Sequence, residues 1–290
     1  MRSNPIGPSG TFSRVWLQPL VLPTRKERVA AQYDTPEAPA AYVRVMDGSS
    51  ALSRTLRSRH QLVQDILMSL PGGDLLDAGC GPGILARALL RTRPGDFSIT
   101  VLDQSAPMIK YCAENTRDAG QVHATVGQLE ALPFADGSFD VALIMGALEY
   151  ADARSAVREV SRITRPGGLV ILSMLNPRSL YRLTEWFIYW PVIRIVGIVQ
   201  ESLGLTRYRR HGAQLTGIRT FSAGRLQRLV RRFGLQPVDL IHYDVTPLVP
   251  PLDRLPAMMR MAARTRHERT VTRGWRRYMG TAYLIVARRA

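Results

Sequence analysis

Two carboxylates bracket a run of glycines, and that arrangement is where chemistry is to be sought first. Residues 74–90 read DLLDAGCGPGILARALL. Asp77 closes a short apolar run, Gly79, Gly81 and Gly83 follow at alternate positions, and Asp103 ends the later run FSITVLD. A carboxylate about 20 residues past a glycine turn, at the end of a second strand, accepts the two hydroxyls of a ribose. Glycine at 79 or 81 lets a ligand lie against the backbone, because no Cβ intervenes and φ > 0 is open to it. The spacing departs from the dinucleotide pattern G-x-G-x-x-G, since Ile84 stands where its third glycine belongs. It is not a P-loop either, because no G-K-[ST] follows.

The flanking pattern supplies the elements that must hold these residues. Ile84–Leu90, Ala106–Arg117, Asp152–Thr164 and Ser222–Phe233 read as helices, with Asp152 as an N-cap. Phe97–Leu102, Val122–Val126, Phe139–Met145, Leu169–Leu175, Leu235–Val245 and Met279–Ala287 read as strands, and Ser53–Leu70 as an amphipathic helix ahead of the first strand. The run FDVALIM is nearly all apolar, as in a strand buried on both faces. The alternation predicts an α/β protein.

Four segments in order carry a resemblance: D-x-G-x-G-x-G from Asp77, VLDQSAPMI from Val101, GQLEALPF from Gly127, and RPGGL from Arg165. Over Asp74–Leu175 the chain resembles the class I methyltransferases that depend on S-adenosylmethionine (SAM), in the small-molecule branch that includes the quinone-biosynthesis C-methyltransferases. The resemblance implies a doubly wound, mostly parallel seven-stranded sheet of Rossmann-like type with helical cap insertions. It divides the chain into an N-terminal arm and lid (1–50), a SAM-binding core (51–175), a cap insertion (176–220), and the rest of the core (221–290) with a second insertion (246–278).

SAM is then the expected cofactor. Asp77 would attract its ammonium, directly or through water, over the turn of Gly79, Gly81 and Gly83. Asp103 would meet the ribose and Met108 would lie beside the adenine, with Gln104 and Leu129 also in the cofactor site. Gln128 stands where the family commonly has Asp, so its adenine contact is neutral and weaker. Gly146 leaves the sheet at its carboxyl edge, and Tyr33 in the lid would cover the sulfonium through cation–π attraction; a tyrosine packed on the core edge is the plainer alternative. No metal is expected.

For the transfer itself the candidates are Tyr33, Tyr150, Glu149 and His211, with His242 as a further imidazole. Glu149 and Tyr150 either orient or deprotonate an acceptor, or line the pocket by their backbone alone. The segment after Leu175, with Tyr181, Trp186, Phe187, Tyr189 and Trp190, implies a large, mostly apolar acceptor; the same composition would suit a subunit contact. That acceptor suggests a secondary metabolite, prenylated or polycyclic, methylated on oxygen or carbon. The rivals are a quinone or lipid acceptor, a SAM-binding module without transfer, and a nicotinamide oxidoreductase, which the absence of a Y-x-x-x-K pair disfavours. No N-P-P-[YF] signature for amide or amine methylation follows the fourth strand.

Composition narrows the setting. The chain has 290 residues and a net charge of +16, yet Lys26 and Lys110 are its only lysines. That arginine bias reads as a GC-rich gene, so no nucleic-acid partner is expected, although a basic surface attracts anionic lipid heads. Cys80 and Cys112 are the only cysteines, which suits a reducing, cytoplasmic setting. Trp186–Val199 is too short to span a bilayer and carries Pro191 and Arg194, so it reads as a buried or interfacial helix. Peripheral membrane contact and a homo-oligomer stay open.

Overall fold

The computed structural model describes residues 25–204, 218–246 and 275–290, with 249–252, 255, 257, 258 and 272. The leader before residue 25, His211, Met259 and Met261 lie outside the described residues.

Two short helices, α1 (Arg25–Tyr33) and α2 (Ala38–Asp47), precede a longer one, α3 (Ala51–Met68). Strands and helices then alternate: β1 (Gly73–Ala78), α4 (Ile84–Thr92), β2 (Phe97–Asp103), α5 (Ala106–Thr116), β3 (His123–Val126), β4 (Phe139–Ile144), α6 (Ala153–Ile163) and β5 (Thr164–Leu175). A helical arm follows, built from α7 (Leu180–Thr184), a π-helical turn (Glu185–Tyr189) and α8 (Trp190–Ser202). Then come α9 (Ala223–Arg232), β6 (Leu235–Val245), a 3-10 turn (Trp275–Met279) and β7 (Gly280–Arg289).

The seven strands form one sheet in the order β3-β2-β1-β4-β5-β7-β6. All neighbours are parallel except β7, which runs antiparallel between β5 and β6. Side chains alternate across a strand, so Leu75 and Leu76 of β1 go to opposite faces. Leu75 joins Leu62, Val63 and Leu67 of α3 and Leu85 and Leu89 of α4. Leu76 joins Val157 and Val160 of α6 and Leu226 and Val230 of α9. Two buried faces explain why the central strands read as unbroken apolar runs.

Two helix starts follow from capping chemistry. Ser105 accepts a hydrogen bond from the Met108 amide at the head of α5, and Asp152 accepts from the Ser155 amide at the head of α6. β5 begins at Thr164 rather than Leu169, because Thr164 already pairs with Phe139 and a register shift before Val141 absorbs the Pro-Gly-Gly. Among the described residues no helix is long and apolar enough to cross a membrane.

Candidate active site

The chain winds outward from β1 through β2 to β3, then returns to the other side of β1 with β4 and β5. That reversal opens a crevice beyond the carboxyl ends of β1 and β4, where an open α/β sheet holds its ligand. A cavity lies there, lined by the turn after β1, the ends of β2 and β4, and residues of α1, α2 and α3. The two turns at the crevice touch: a Cβ on Gly79 would come within 2.3 Å of the Ala147 Cβ. Gly79 thus carries φ +81° where the backbones close on each other.

Asp103 reaches the cavity already oriented. Its carboxylate accepts from the Gly81 amide at 2.9 Å and from the Ser105 amide at 3.0 Å. A carboxylate has about four acceptor positions, and with the Gln104 amide also directed at it part of that capacity remains for a ligand. Gly81 faces open space, since a Cβ there would meet nothing within 4 Å. Asp77 lies behind the turn, 1% exposed, and neither of its carboxylate oxygens accepts a hydrogen bond. Burial pushes its pKa up to about 7, against the pull of Arg59 and with a further push from Asp103. A buried carboxylate without donors is costly alone and suits a cationic ligand group. The open turn, the partly used Asp103 and the orphaned Asp77 fit the ribose and ammonium of SAM.

The segment expected as a lid forms α1 and α2. Val29, Tyr33 and Tyr42 line the cavity from it, and the Tyr33 carbonyl accepts from the Ser105 hydroxyl at 2.9 Å. Tyr33 meets Tyr150 across the cavity edge, hydroxyl to hydroxyl at 3.0 Å, with rings 5.5 Å apart and edge to face. Burial raises the pKa of both phenols, Tyr150 far above its ordinary value. Both are neutral hydrogen-bonding groups near pH 7.

The residues that motif reading missed lie on α3. Arg59 is buried, lines the cavity, and donates to the Tyr42 hydroxyl at 3.1 Å. Its Nη1 lies against Gly146, where a Cβ would come within 2.0 Å of it. His60 also lines the cavity, its pKa pushed down to about 3 by burial and by Arg59 beside it. α3 is fastened one turn earlier, where Arg54 and Thr55 donate to buried Asp244 at 2.5 and 2.6 Å. Arg57 ties the end of α2 and the loop after it to α3 by donating to the Met46 and Gly48 carbonyls. The signal was available: Arg59 interrupts the apolar stripe Leu56, Val63, Leu67 of α3, on its buried face.

The other expected residues divide. Gln104, Met108, Leu129 and Gly146 line the cavity. Gly83 is outside the lining; it begins α4, and a Cβ there would come within 2.2 Å of the Cys112 sulfur. Gln128 is exposed and outside the lining, while Gly127, Leu129 and Glu130 around it face in. Glu149 is buried beneath the site and outside the lining, and burial raises its pKa, against the pull of Arg59 and Arg182. His242 is buried in β6 away from the cavity, its pKa pushed down to about 4 by burial, with Arg277 adding to the push. None of the described residues 176–204 lines the cavity; the arm built from them turns its apolar side chains to solvent instead.

A model of the methyltransferase domain matches residues 76–172. The malonyl-[acyl-carrier protein] O-methyltransferase of Pseudescherichia vulneris is 32% identical over 215 residues, covering 72% of this chain and 76% of that one. The ubiquinone/menaquinone biosynthesis C-methyltransferase of Geotalea daltonii is 31% identical over 144 residues, covering 48% of this chain and 61% of its own length. The crystal structure of a SAM-dependent methyltransferase from Thermotoga maritima aligns with 89% of this chain and 99% of its own, at TM-score 0.56 and 19% identity.

Proposed function

The chain belongs to the class I SAM-dependent methyltransferases, and from that premise we propose that it methylates a largely apolar small molecule at a centre that needs no base from the protein. When bound, SAM supplies an electrophilic methyl group. Asp77 takes the ammonium, Asp103 and Gln104 the ribose, and Met108 and Leu129 the adenine side of the cavity. Arg59 supplies positive charge for the carboxylate at the amino-acid end. Tyr33 and Tyr150 hold the reacting edge and exclude water.

The hydrogen-bonded Tyr33–Tyr150 pair carries this reading. It offers aromatic faces and neutral hydroxyls to an approaching acceptor, and apolar Met145 and Ala147 line the same cavity. Of the imidazole and the facing phenols in the lining, His60 is too acidic and Tyr33 and Tyr150 too weakly acidic to exchange a proton near pH 7. An acceptor that brings its own nucleophile, such as an electron-rich carbon or an anionic oxygen, suits such a lining. Alignment then accounts for most of the protein's contribution. A prenylated or polycyclic secondary metabolite fits these terms. A quinone or lipid acceptor is the second reading, favoured by the exposed apolar arm.

Radiolabelled SAM offered with prenylated phenols, carboxylate thioesters, small amines and RNA tests this. Label in either of the first two classes is expected, and label only in amines or RNA sinks the proposal. Tyr150→Phe should lower kcat about tenfold with SAM affinity unchanged, as loss of one positioning hydrogen bond predicts. Asp103→Ala should weaken SAM about tenfold by calorimetry, from two lost hydroxyl contacts. Unchanged affinity would remove the ribose assignment.

A further inference from the structure

The helical arm after β5 carries its apolar residues outward. Eleven of the eighteen large hydrophobic residues exposed among the described residues fall between Leu180 and Leu203, led by Phe187 at 73%, Leu203 at 66% and Ile195 at 62%. In α8 the one buried residue is Gly197. Single apolar residues on a surface need no explanation, but a contiguous patch marks a place that something covers.

Length and chemistry define the cover. Trp186–Val199 makes about 20 Å of helix at 1.5 Å per residue, well short of a ~30 Å hydrocarbon layer. A helix of this kind lies along a bilayer surface with its apolar side in the acyl boundary. Trp186, Tyr189 and Trp190 form a cluster of the side chains that favour the headgroup level, with the Tyr189 and Trp190 rings 5.3 Å apart.

Charge selects the kind of bilayer. Between Asn176 and Val238 the sequence holds two acids, Glu185 and Glu201, against eleven arginines. Glu185 is buried and taken by Arg182 at 2.5 Å. Arg178 is exposed at the foot of the arm. Arg276 and Arg277 are exposed on the 3-10 turn that packs against α7, where the Asn176 amide donates to the Arg277 carbonyl at 3.2 Å.

We propose that residues 180–203 dock this protein on an anionic lipid bilayer, the apolar helix lying in the interface and the flanking arginines meeting the headgroups. A second copy of the chain is the poorer cover. A two-fold contact through this face sets each patch against itself, bringing Arg178, Arg194 and Arg276 toward their own copies on a chain of charge +16. The proposal is independent of which acceptor is methylated.

Co-sedimentation of the full chain with phosphatidylcholine vesicles, with and without phosphatidylglycerol, is the test. Binding to the anionic vesicles is expected to be at least tenfold stronger and to weaken with salt. The pair Phe187→Glu and Ile195→Glu should reduce it at least tenfold, with melting temperature and SAM affinity unchanged because both side chains are exposed. The pair Arg178→Glu and Arg194→Glu should erase the preference for anionic lipid. Wild-type protein left in the supernatant of anionic vesicles overturns the proposal, as does undiminished binding by the Phe187→Glu, Ile195→Glu variant. Light scattering that finds a dimer split by those two substitutions, with no vesicle binding, makes the face a subunit contact and overturns it too.

Discussion

Asn in place of Asp77 is expected to weaken SAM binding at least a hundredfold and, at pH 8, to stabilise the ligand-free protein. Both effects have one origin. The Asp77 carboxylate is buried, receives no hydrogen bond, and has its pKa pushed up to about 7 by burial, with Arg59 opposing and Asp103 adding to the push. A folded-state pKa above the unfolded one means the folded chain holds this proton more tightly. Its contribution to stability is then complete below about pH 4 and is lost as pH rises through 7. At 1.36 kcal/mol per unit, the charged form costs the free protein about 4 kcal/mol at pH 8. An ammonium from SAM would reverse that cost, since an opposite charge nearby favours the ionised acid. Asn removes both the cost and the attraction. A hundredfold in affinity is about 2.7 kcal/mol, within the range of a desolvated charge-assisted contact.

Thermal melts from pH 5 to 8.5 with and without SAM test this, beside calorimetric titration. The wild type should lose melting temperature toward pH 8 and regain it with SAM, while Asp77→Asn should be flatter in pH and insensitive to SAM. A variant that binds SAM as tightly as the wild type would remove Asp77 from the site.

The residues that could be found in the sequence are those whose roles are imposed by local backbone geometry. A turn needing φ > 0 admits glycine and little else, so the corner after β1 was visible at Gly79, Gly81 and Gly83 before any fold was known. Asp152 was visible for a related reason, since a helix start leaves amide donors that few side chains satisfy. The central strands were visible because burial on both faces leaves room only for apolar residues. Asp103 was visible from its distance past the glycines, and the structure has its carboxylate accepting from the Gly81 amide.

Other residues depended on how distant elements fold together. Arg59 is one arginine in a chain full of them, and composition hid it. Its place on the buried stripe of α3 becomes informative only once that helix is set against the cavity. Glu149 and Tyr150 are neighbours in one turn, yet one points beneath the site and the other into it. No spacing rule separates them. The arm at 180–203 has the composition of a pocket wall, a subunit contact or a membrane face. Periodicity reports which residues are apolar and not what they meet, so the pocket wall expected there is found outside the cavity.

Gly81 and Gly83 read alike in the motif, and substitution by alanine should separate them. Gly83→Ala is expected to destabilise the protein by about 3 kcal/mol, while Gly81→Ala should leave the fold nearly intact and weaken SAM about thirtyfold. Gly83 has φ +73°, and a Cβ there would lie 2.2 Å from the Cys112 sulfur and 3.1 Å from its Cβ. Cys112 is fully buried in α5, so α4 and α5 would have to move apart in a packed core. Left-handed backbone costs a residue with a Cβ about 1–2 kcal/mol, and overpacking adds about 1–3 kcal/mol. At about 2–4 °C per kcal/mol the melting temperature should fall by about 10 °C. Gly81 has φ +55° and empty space around its would-be Cβ, so only the smaller backbone cost applies to the fold. That empty space belongs to the ligand, and a methyl group would occupy the approach between cofactor and backbone. Melting curves and SAM titrations on the two variants decide the matter. If Gly81→Ala unfolds the protein and Gly83→Ala only loses ligand, the cofactor lies elsewhere than over this turn.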